Sequence, residues 1–315
     1  MRAPDLADIR AAAGRIAGRV RRTPVLSASP VREHAATAGQ LLLKLECLQV
    51  TGSFKPRGAV NALSALPPGQ TARGIVTASG GNHGLGVAYA GWAAQVPATV
   101  FLPRRVGADK VAALGEWQAQ VRVAGDAWDD SHEAALAHAT AEGLAYIHPF
   151  ADPAVIAGQG TLGLEIVEDA PEIDTILVAI GGGGLIAGVA LAAKALKPQI
   201  RIIGVEPTGA PTLKRSLAAG RLVTLDRLDT EAVTLAPRRS DELNLKIIAD
   251  LVAEIVLVSD DEMRSAARWL WREIGIGAEL SGAASVAALV AGRYRPATGE
   301  RVCAIVCGAG TAGLG

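Results

Sequence analysis

Apolar and polar positions change period repeatedly along this chain. Asp5 to Val20 carries an amphipathic helical pattern with Asp5 placed to cap it. Ala59, Val60, Ala62, Leu63 and Leu66 recur at helical spacing behind Pro56, a residue suited to a first helical turn. Further helices are predicted over Gly84–Ala94, from Asp109 to Leu114, and over Trp128–Glu142, Leu185–Leu196, Asp260–Ile274 and Ser281–Ala291. Short apolar runs predict strands at Leu41–Leu45, Gly74–Thr77, Ala98–Leu102, Val121–Ala124, Thr175–Ile180, Arg201–Val205 and Arg301–Val306. Leu222–Asp241 is polar and without period, which predicts a long loop. Strand and helix alternate throughout, and that alternation predicts a doubly wound, parallel α/β sheet.

Composition narrows the function classes. The chain has 315 residues, half of them hydrophobic, enough for one large domain or two smaller ones. Its formal net charge is zero, which argues against nucleic acid or an anionic membrane as a partner. No run of apolar residues is long enough to span a bilayer, and the charged start does not read as a signal peptide. Three cysteines, Cys47, Cys303 and Cys307, form neither a disulfide framework nor a zinc set. Their odd, sparse count predicts a reduced cytoplasm.

Four segments carry chemistry. In Thr51-Gly52-Ser53-Phe54-Lys55-Pro56, Gly52 and Ser53 make a turn or cap, and Lys55 falls at a helix start. Burial and the positive end of a helix dipole both disfavour its ammonium form, and a neutral lysine attacks aldehydes. Ser79-Gly80-Gly81-Asn82-His83 follows a strand and opens a helix, so its backbone N–H groups face an anion, carboxylate or phosphate. Gly181-Gly182-Gly183-Gly184-Leu185 repeats that arrangement with four glycines, which let the backbone approach a phosphate closely. Gly182-x-Gly184-x-x-Ala187 with Glu206 imitates a dinucleotide fingerprint, but it lies past the middle of the chain. Last, Cys307 ends the final strand, on the side where α/β sheets bind ligands.

In this order, the four segments resemble the serine/threonine dehydratase group of fold type II enzymes, which use pyridoxal 5′-phosphate. Arg22-Thr23-Pro24, His148-Pro149-Phe150, Gly158-Gln159-Gly160-Thr161, Gly204-Val205-Glu206-Pro207 and Val258-Ser259-Asp260 extend the resemblance along nearly the whole chain. It implies two doubly wound parallel-sheet domains of the tryptophan synthase β-like kind. Residues 1–70 with 150–315 would form a large cofactor-binding domain, and 71–149 a small one. Lys55 would carry the cofactor covalently, Phe54 would pack on its ring, and Asn82 would bond its phenolic oxygen. Gly181, Gly182, Gly183, Gly184 and Leu185 would hold its phosphate, and Cys307 would face its pyridine nitrogen. Ser79, Gly81, Asn82 and His83 would hold the substrate carboxylate. The activity implied is β-elimination from a small hydroxy amino acid, in a homodimer. Alternatives are β-replacement on the same fold, or cofactor binding with little turnover.

Departures from the family pattern add expectations. Gly80 stands where related serine racemases carry a serine that acts as a base, so elimination is expected far above racemisation. Glu206 and Ala210 match positions that bind a divalent cation in some relatives, but the third ligand there is an aspartate and here is Thr212. No bound metal is therefore expected. Ala232-Val233-Thr234 replaces an Ala-Asp segment, Glu279-Leu280-Ser281-Gly282 replaces Glu-Pro-Ser-Gly, and Gly310 and Ala312 replace an asparagine and an aspartate. No regulatory domain of the kind found in long threonine deaminases is expected.

Overall fold

A computed structural model describes residues 2–29, 32, 35, 39–67, 69–104 and 106–314. Its strands are β1 (Val25–Ser27), β2 (Leu41–Lys44), β3 (Ile75–Ala78), β4 (Ala98–Leu102), β5 (Gln120–Val123), β6 (Ala145–Tyr146), β7 (Thr175–Ala179), β8 (Arg201–Pro207), β9 (Glu254–Val258) and β10 (Val302–Ile305). Its helices are α1 (Leu6–Ile16), α2 (Lys55–Ala65), α3 (Asn82–Ala94), α4 (Ala108–Glu116), α5 (Trp128–Glu142), α6 (Pro153–Asp169), α7 (Gly184–Leu196), α8 (Thr212–Ala219), α9 (Glu242–Leu251), α10 (Asp260–Trp269) and α11 (Leu280–Val290). The strands form two sheets. One has six strands in the order β1-β2-β10-β7-β8-β9, and the other four in the order β5-β4-β3-β6. Every pairing is parallel except that of β1 with β2. This is the expected doubly wound α/β architecture, in two parallel-sheet units.

Local chemistry explains several element ends. Asp5 accepts the N–H groups of Ala7 and Asp8, while Asp8 accepts that of Asp5, a reciprocal capping box. Ser259 and Glu262 make the same box for α10, whose last turn widens into a π-helix over Leu270–Ile274. The central strands β7, β10 and most of β8 are buried end to end, because helices cover both faces. Each aliphatic side chain so enclosed contributes roughly 1.5–3 kcal/mol.

The helix α6 escaped the sequence reading. Gly158, Gly160 and Gly163 punctuate it like a loop, yet it is a helix buried against α1, α2 and α7. A Cβ on Gly158 would lie 2.5 Å from the Arg57 carbonyl, and one on Gly188 of α7 would lie 2.4 Å from that of Ile156. The glycines serve close helix crossing, not a turn. Strands β1, β6 and β9 and helices α8 and α9 were likewise unpredicted, being short or irregular in pattern. Leu222–Asp241 is the expected loop with one short 3₁₀ turn at Val233–Leu235, and it buries Leu225, Ala232 and Leu235.

Between β2, α2 and α6 lies a cluster of buried charges. The Arg57 guanidinium, fully buried, is bonded to both Glu46 oxygens at 2.8 Å and to both Glu165 oxygens at 2.7 and 2.8 Å. Lys44, also fully buried, donates to Glu165 at 2.6 Å and to the Thr23 carbonyl at 2.7 Å. The two carboxylates hold Arg57 well above its ordinary range against the cost of burial. Removing one partner from such a cluster leaves an uncompensated buried charge. Arg57→Leu is therefore expected to cost about 3–5 kcal/mol, read as a lower midpoint in denaturant unfolding. An unchanged midpoint would show that the cluster contributes nothing net.

Candidate active site

Topology brings three of the predicted segments to one edge. In the six-stranded sheet β2, β10 and β7 are consecutive parallel neighbours, so the chain leaves all three at the same end. The segments after β2 and β10 are stitched together. Cys47 donates its N–H to the Val306 carbonyl at 2.8 Å, Phe54 to Cys307 at 3.3 Å and Ala309 to Gly52 at 2.7 Å. That stitching sets Lys55, the first residue of α2, beside Cys307. Thr51 and Gly52 adopt φ of 62° and 74° to turn the chain into the helix. Phe54, not Gly52 or Ser53, is the residue at the N-cap, and it makes no side-chain cap.

The Lys55 amine donates to the Pro149 carbonyl at 2.8 Å and lies 5.2 Å from the centre of the Phe54 ring. Burial of the amine lowers its pKa to about 8, although the Cys307 and Glu279 acids pull the other way. The second sheet supplies Pro149, in the segment after β6. His148 fixes that segment, since its Nδ1 accepts the N–H groups of Phe150 at 3.2 Å and Ala151 at 2.9 Å. Burial pushes His148 down to about 4, so it stays neutral and can accept both.

The Ser79–His83 turn follows β3, the neighbour of β6, and opens α3. Ser79 Oγ accepts the N–H of Gly81 at 3.2 Å, and the turn itself is part-buried. His83 faces inward. Its Nε2 donates to the Ile147 carbonyl at 3.1 Å, and Nδ1 is buried without a partner. Burial, then the nearby Lys55, holds His83 well below its ordinary range. The amide of Asn82 donates to Glu279 at 2.8 Å. Glu279 is thus a site residue that sequence reasoning quoted only as part of an altered motif. Burial raises its carboxyl, and the contact that brings it here spans 197 residues of sequence.

The glycine loop after β7 is a cradle. Gly183 has φ of +92°, a left-handed conformation that favours glycine. A Cβ on Gly182 would fall 2.2 Å from the Phe150 ring, and one on Gly181 2.7 Å from the Thr234 carbonyl. Among the described residues, no acceptor meets the backbone N–H groups of Gly181, Gly182, Gly183, Gly184 or Leu185. They sit at the N-terminus of α7, a helix of 13 residues, which is a built anion site. Asn244 and Ser240 steady the loop by donating to the Gly182 carbonyl at 2.8 and 2.9 Å. Cys307 is buried, and burial pushes its thiol far above its ordinary range. The S–H donates to the Ser281 carbonyl at 3.4 Å. Cys47 and Cys303 are buried free thiols as well. No helix among the described residues is long and apolar enough to cross a membrane.

An amine poised for an aldehyde, an anion cradle and a neutral thiol fit the parts of pyridoxal phosphate. Comparison with known proteins agrees. A family model described as "Pyridoxal-phosphate dependent enzyme" matches residues 16–308. The chain is 38% identical to the L-threonine ammonia-lyase of Thermotoga maritima, over 96% of this chain and 75% of that protein. It is 40% identical to a serine racemase of Oryza sativa subsp. indica, over 93% of this chain and 86% of that one. The solved structure of maize serine racemase superposes with a TM-score of 0.93 at 36% identity, covering 98% of this chain and 94% of the other. The chain therefore belongs to the pyridoxal-phosphate dependent enzymes of fold type II, and pyridoxal phosphate is its cofactor.

Proposed function

We propose that the chain dehydrates and deaminates a small hydroxy amino acid, such as L-threonine or L-serine, to a 2-oxo acid and ammonia. The observation that carries this reading is a buried lysine of lowered pKa at the head of α2, tied by the Phe54–Cys307 backbone bond to the segment that carries the neutral thiol after β10. Similarity to the Thermotoga lyase supports this reading, and similarity to the plant racemases marks racemisation as its competitor. The same reading takes residues 71–149 as the small domain, a homodimer as the assembly and the cytoplasm as the compartment.

When bound, pyridoxal phosphate supplies an aldehyde for the amino group and an electron sink for the α-carbon. The residues of the chain do the rest. Lys55 Nζ would hold the cofactor covalently and, as a free amine, would take the proton from the substrate Cα. The N–H groups of Gly181 to Leu185 would hold the phosphate. Phe54 would pack on the ring, Asn82, bonded here to Glu279, would serve its phenolic oxygen, and Cys307 would face the pyridine nitrogen. A thiol that stays protonated, and whose S–H is aimed at Ser281, does not hand the ring nitrogen a full proton. The electron sink would be correspondingly weak. That favours a substrate whose β-hydroxyl leaves promptly as water. Ser79, Gly81, Asn82 and His83 orient the substrate carboxylate; for His83 this falls to its backbone N–H, because its ring points to Ile147.

Gly80 separates elimination from racemisation. A base on the second face of the substrate would need a side chain there. A Cβ on Gly80 would lie 2.8 Å from Val106 Cγ2, so this position is both empty and closed. Release of keto acid from L-serine, L-threonine and 3-hydroxyaspartate, with chiral analysis of the recovered serine, tests the proposal. Keto acid should exceed D-serine by about two orders of magnitude, the usual worth of a positioned acid–base group. Comparable rates would contradict it. Gly80→Ser alone should leave racemisation low, and Gly80→Ser with Val106→Ala should raise it.

Lys55→Ala should lower turnover by about three orders of magnitude or more and abolish covalent cofactor attachment, while the fold persists. In the native protein, the rate at which apoenzyme captures the cofactor aldehyde should rise with pH and level off above about 8. That is where the lowered Lys55 amine becomes neutral. A midpoint near that of free lysine would contradict the burial argument. Gly183→Asp adds a Cβ to a left-handed residue and a negative charge to the cradle, so cofactor affinity should fall about 100-fold or more in an equilibrium titration. Unchanged affinity would place the phosphate elsewhere.

A further inference from the structure

Next to the glycine loop, the oxygen donors that could make a cation site are engaged within the chain itself. Glu206 is the penultimate residue of β8 and is 1% exposed. Its Oε1 accepts the N–H of Leu213 at 2.7 Å, and its Oε2 accepts that of Lys214 at 2.9 Å. Both donors belong to the first turn of α8. The carbonyl of Ala210 accepts the N–H of Thr212 at 2.9 Å. The hydroxyl of Thr212 is turned away, donating to the Pro237 carbonyl at 2.8 Å. A cation approaching Glu206 would share its oxygens with two N–H donors and face the positive end of a helix. The Lys214 ammonium, bonded to the Ile255 carbonyl on β9, adds a full positive charge to the same neighbourhood. Burial pushes the Glu206 carboxyl up to about 7, against the pull of these N–H groups and of Lys214.

The residue that Glu206 grips also supports the phosphate loop. A Cβ on Gly183 would meet Leu213 Cδ1 at 2.9 Å and Ile248 Cδ1 at 3.0 Å, so the Leu213 side chain lies directly against the loop. Thr212 anchors the Pro237 segment, and three residues later Ser240 donates to the Gly182 carbonyl at 2.9 Å. One buried carboxylate thus fixes the start of α8, and the start of α8 reaches the glycine loop by two routes.

We propose that Glu206 and the first turn of α8 form an internal brace for the tetraglycine loop. The brace occupies the place where some family relatives bind a divalent cation, and this chain takes no such cation there. The proposal rests on the reading of Gly181 to Gly184 as the phosphate cradle. Glu206 is a positioning residue in it, acting through Leu213.

The test uses holoenzyme, unfolded by heat in EDTA and in millimolar magnesium, calcium or manganese chloride. A cation bound to the native state alone would raise the midpoint, so the brace predicts midpoints equal to within about 1 °C in all four. Cofactor titration and the phosphorus NMR signal of the bound cofactor are then compared for wild type, Glu206→Gln and Leu213→Ala. Glu206→Gln leaves an amide N–H₂ facing a backbone N–H, so cofactor affinity should fall about tenfold. The phosphorus resonance should shift with it, which mere loss of stability would not cause. Should Glu206→Gln not fold, Leu213→Ala is expected to give the same loss and the same shift. A higher midpoint with any of the three cations, or variants with wild-type affinity and resonance, would overturn the brace. Those outcomes leave the cradle itself intact, because only Gly183→Asp addresses that.

Discussion

The site depends on a guanidinium that never touches it. Arg57 lies two residues beyond Lys55 in the first turn of α2, and it is locked between Glu46 after β2 and Glu165 in α6. A buried charge has few tolerable positions, because every oxygen that compensates it must stay in place. The cluster therefore fixes the angle at which α2 leaves the sheet. Lys55 at the head of that helix is held toward Pro149 and Cys307 as a consequence. Lys44, at the end of β2, draws the same Glu165 from the strand side. Strand, turn and helix are tied at one point, close to the residue proposed to do the chemistry.

A second constraint runs from the opposite direction. For the proposed chemistry, Lys55 must be enclosed enough to lose its proton near neutral pH, yet open enough to meet a substrate. The structure meets both demands by dividing the enclosure between two sheets. The six-stranded sheet provides the lysine, the thiol and the glycine cradle. The four-stranded sheet provides the Pro149 carbonyl and the Ser79–His83 turn. Phe150 closes the seam, with its ring against Gly182. The carbonyl of Pro149 is a neutral partner. It orients the amine without the strong upward pull on its pKa that a carboxylate bonded directly to it would exert.

Much of this was legible in the sequence, for definite reasons. Lys55, the four glycines and Cys307 lie at junctions of strand and helix, where the hydrophobic period changes abruptly. A strand end on a parallel sheet is where ligands bind, so position along the pattern nearly gives position in space. What the pattern concealed was of two kinds. Helix α6 was not predicted, because the reason for its glycines, contact with Arg57 and α7, is tertiary. Glu279 and Leu213 gave no local signal, because their partners Asn82 and Gly183 lie far away in sequence. His83 was read as part of the turn, whereas its ring is turned toward Ile147 by a bond that no spacing encodes.

The central claim is that one particular amine, held by the start of α2 and lowered by burial, carries the cofactor. The most direct measurement reduces the holoprotein with borohydride, digests it and locates the cofactor mass by peptide mapping. The account predicts a single adduct on the peptide that contains Lys55, with the other lysines unlabelled in the native protein. An adduct on another lysine, with Lys55 unmodified, would contradict it.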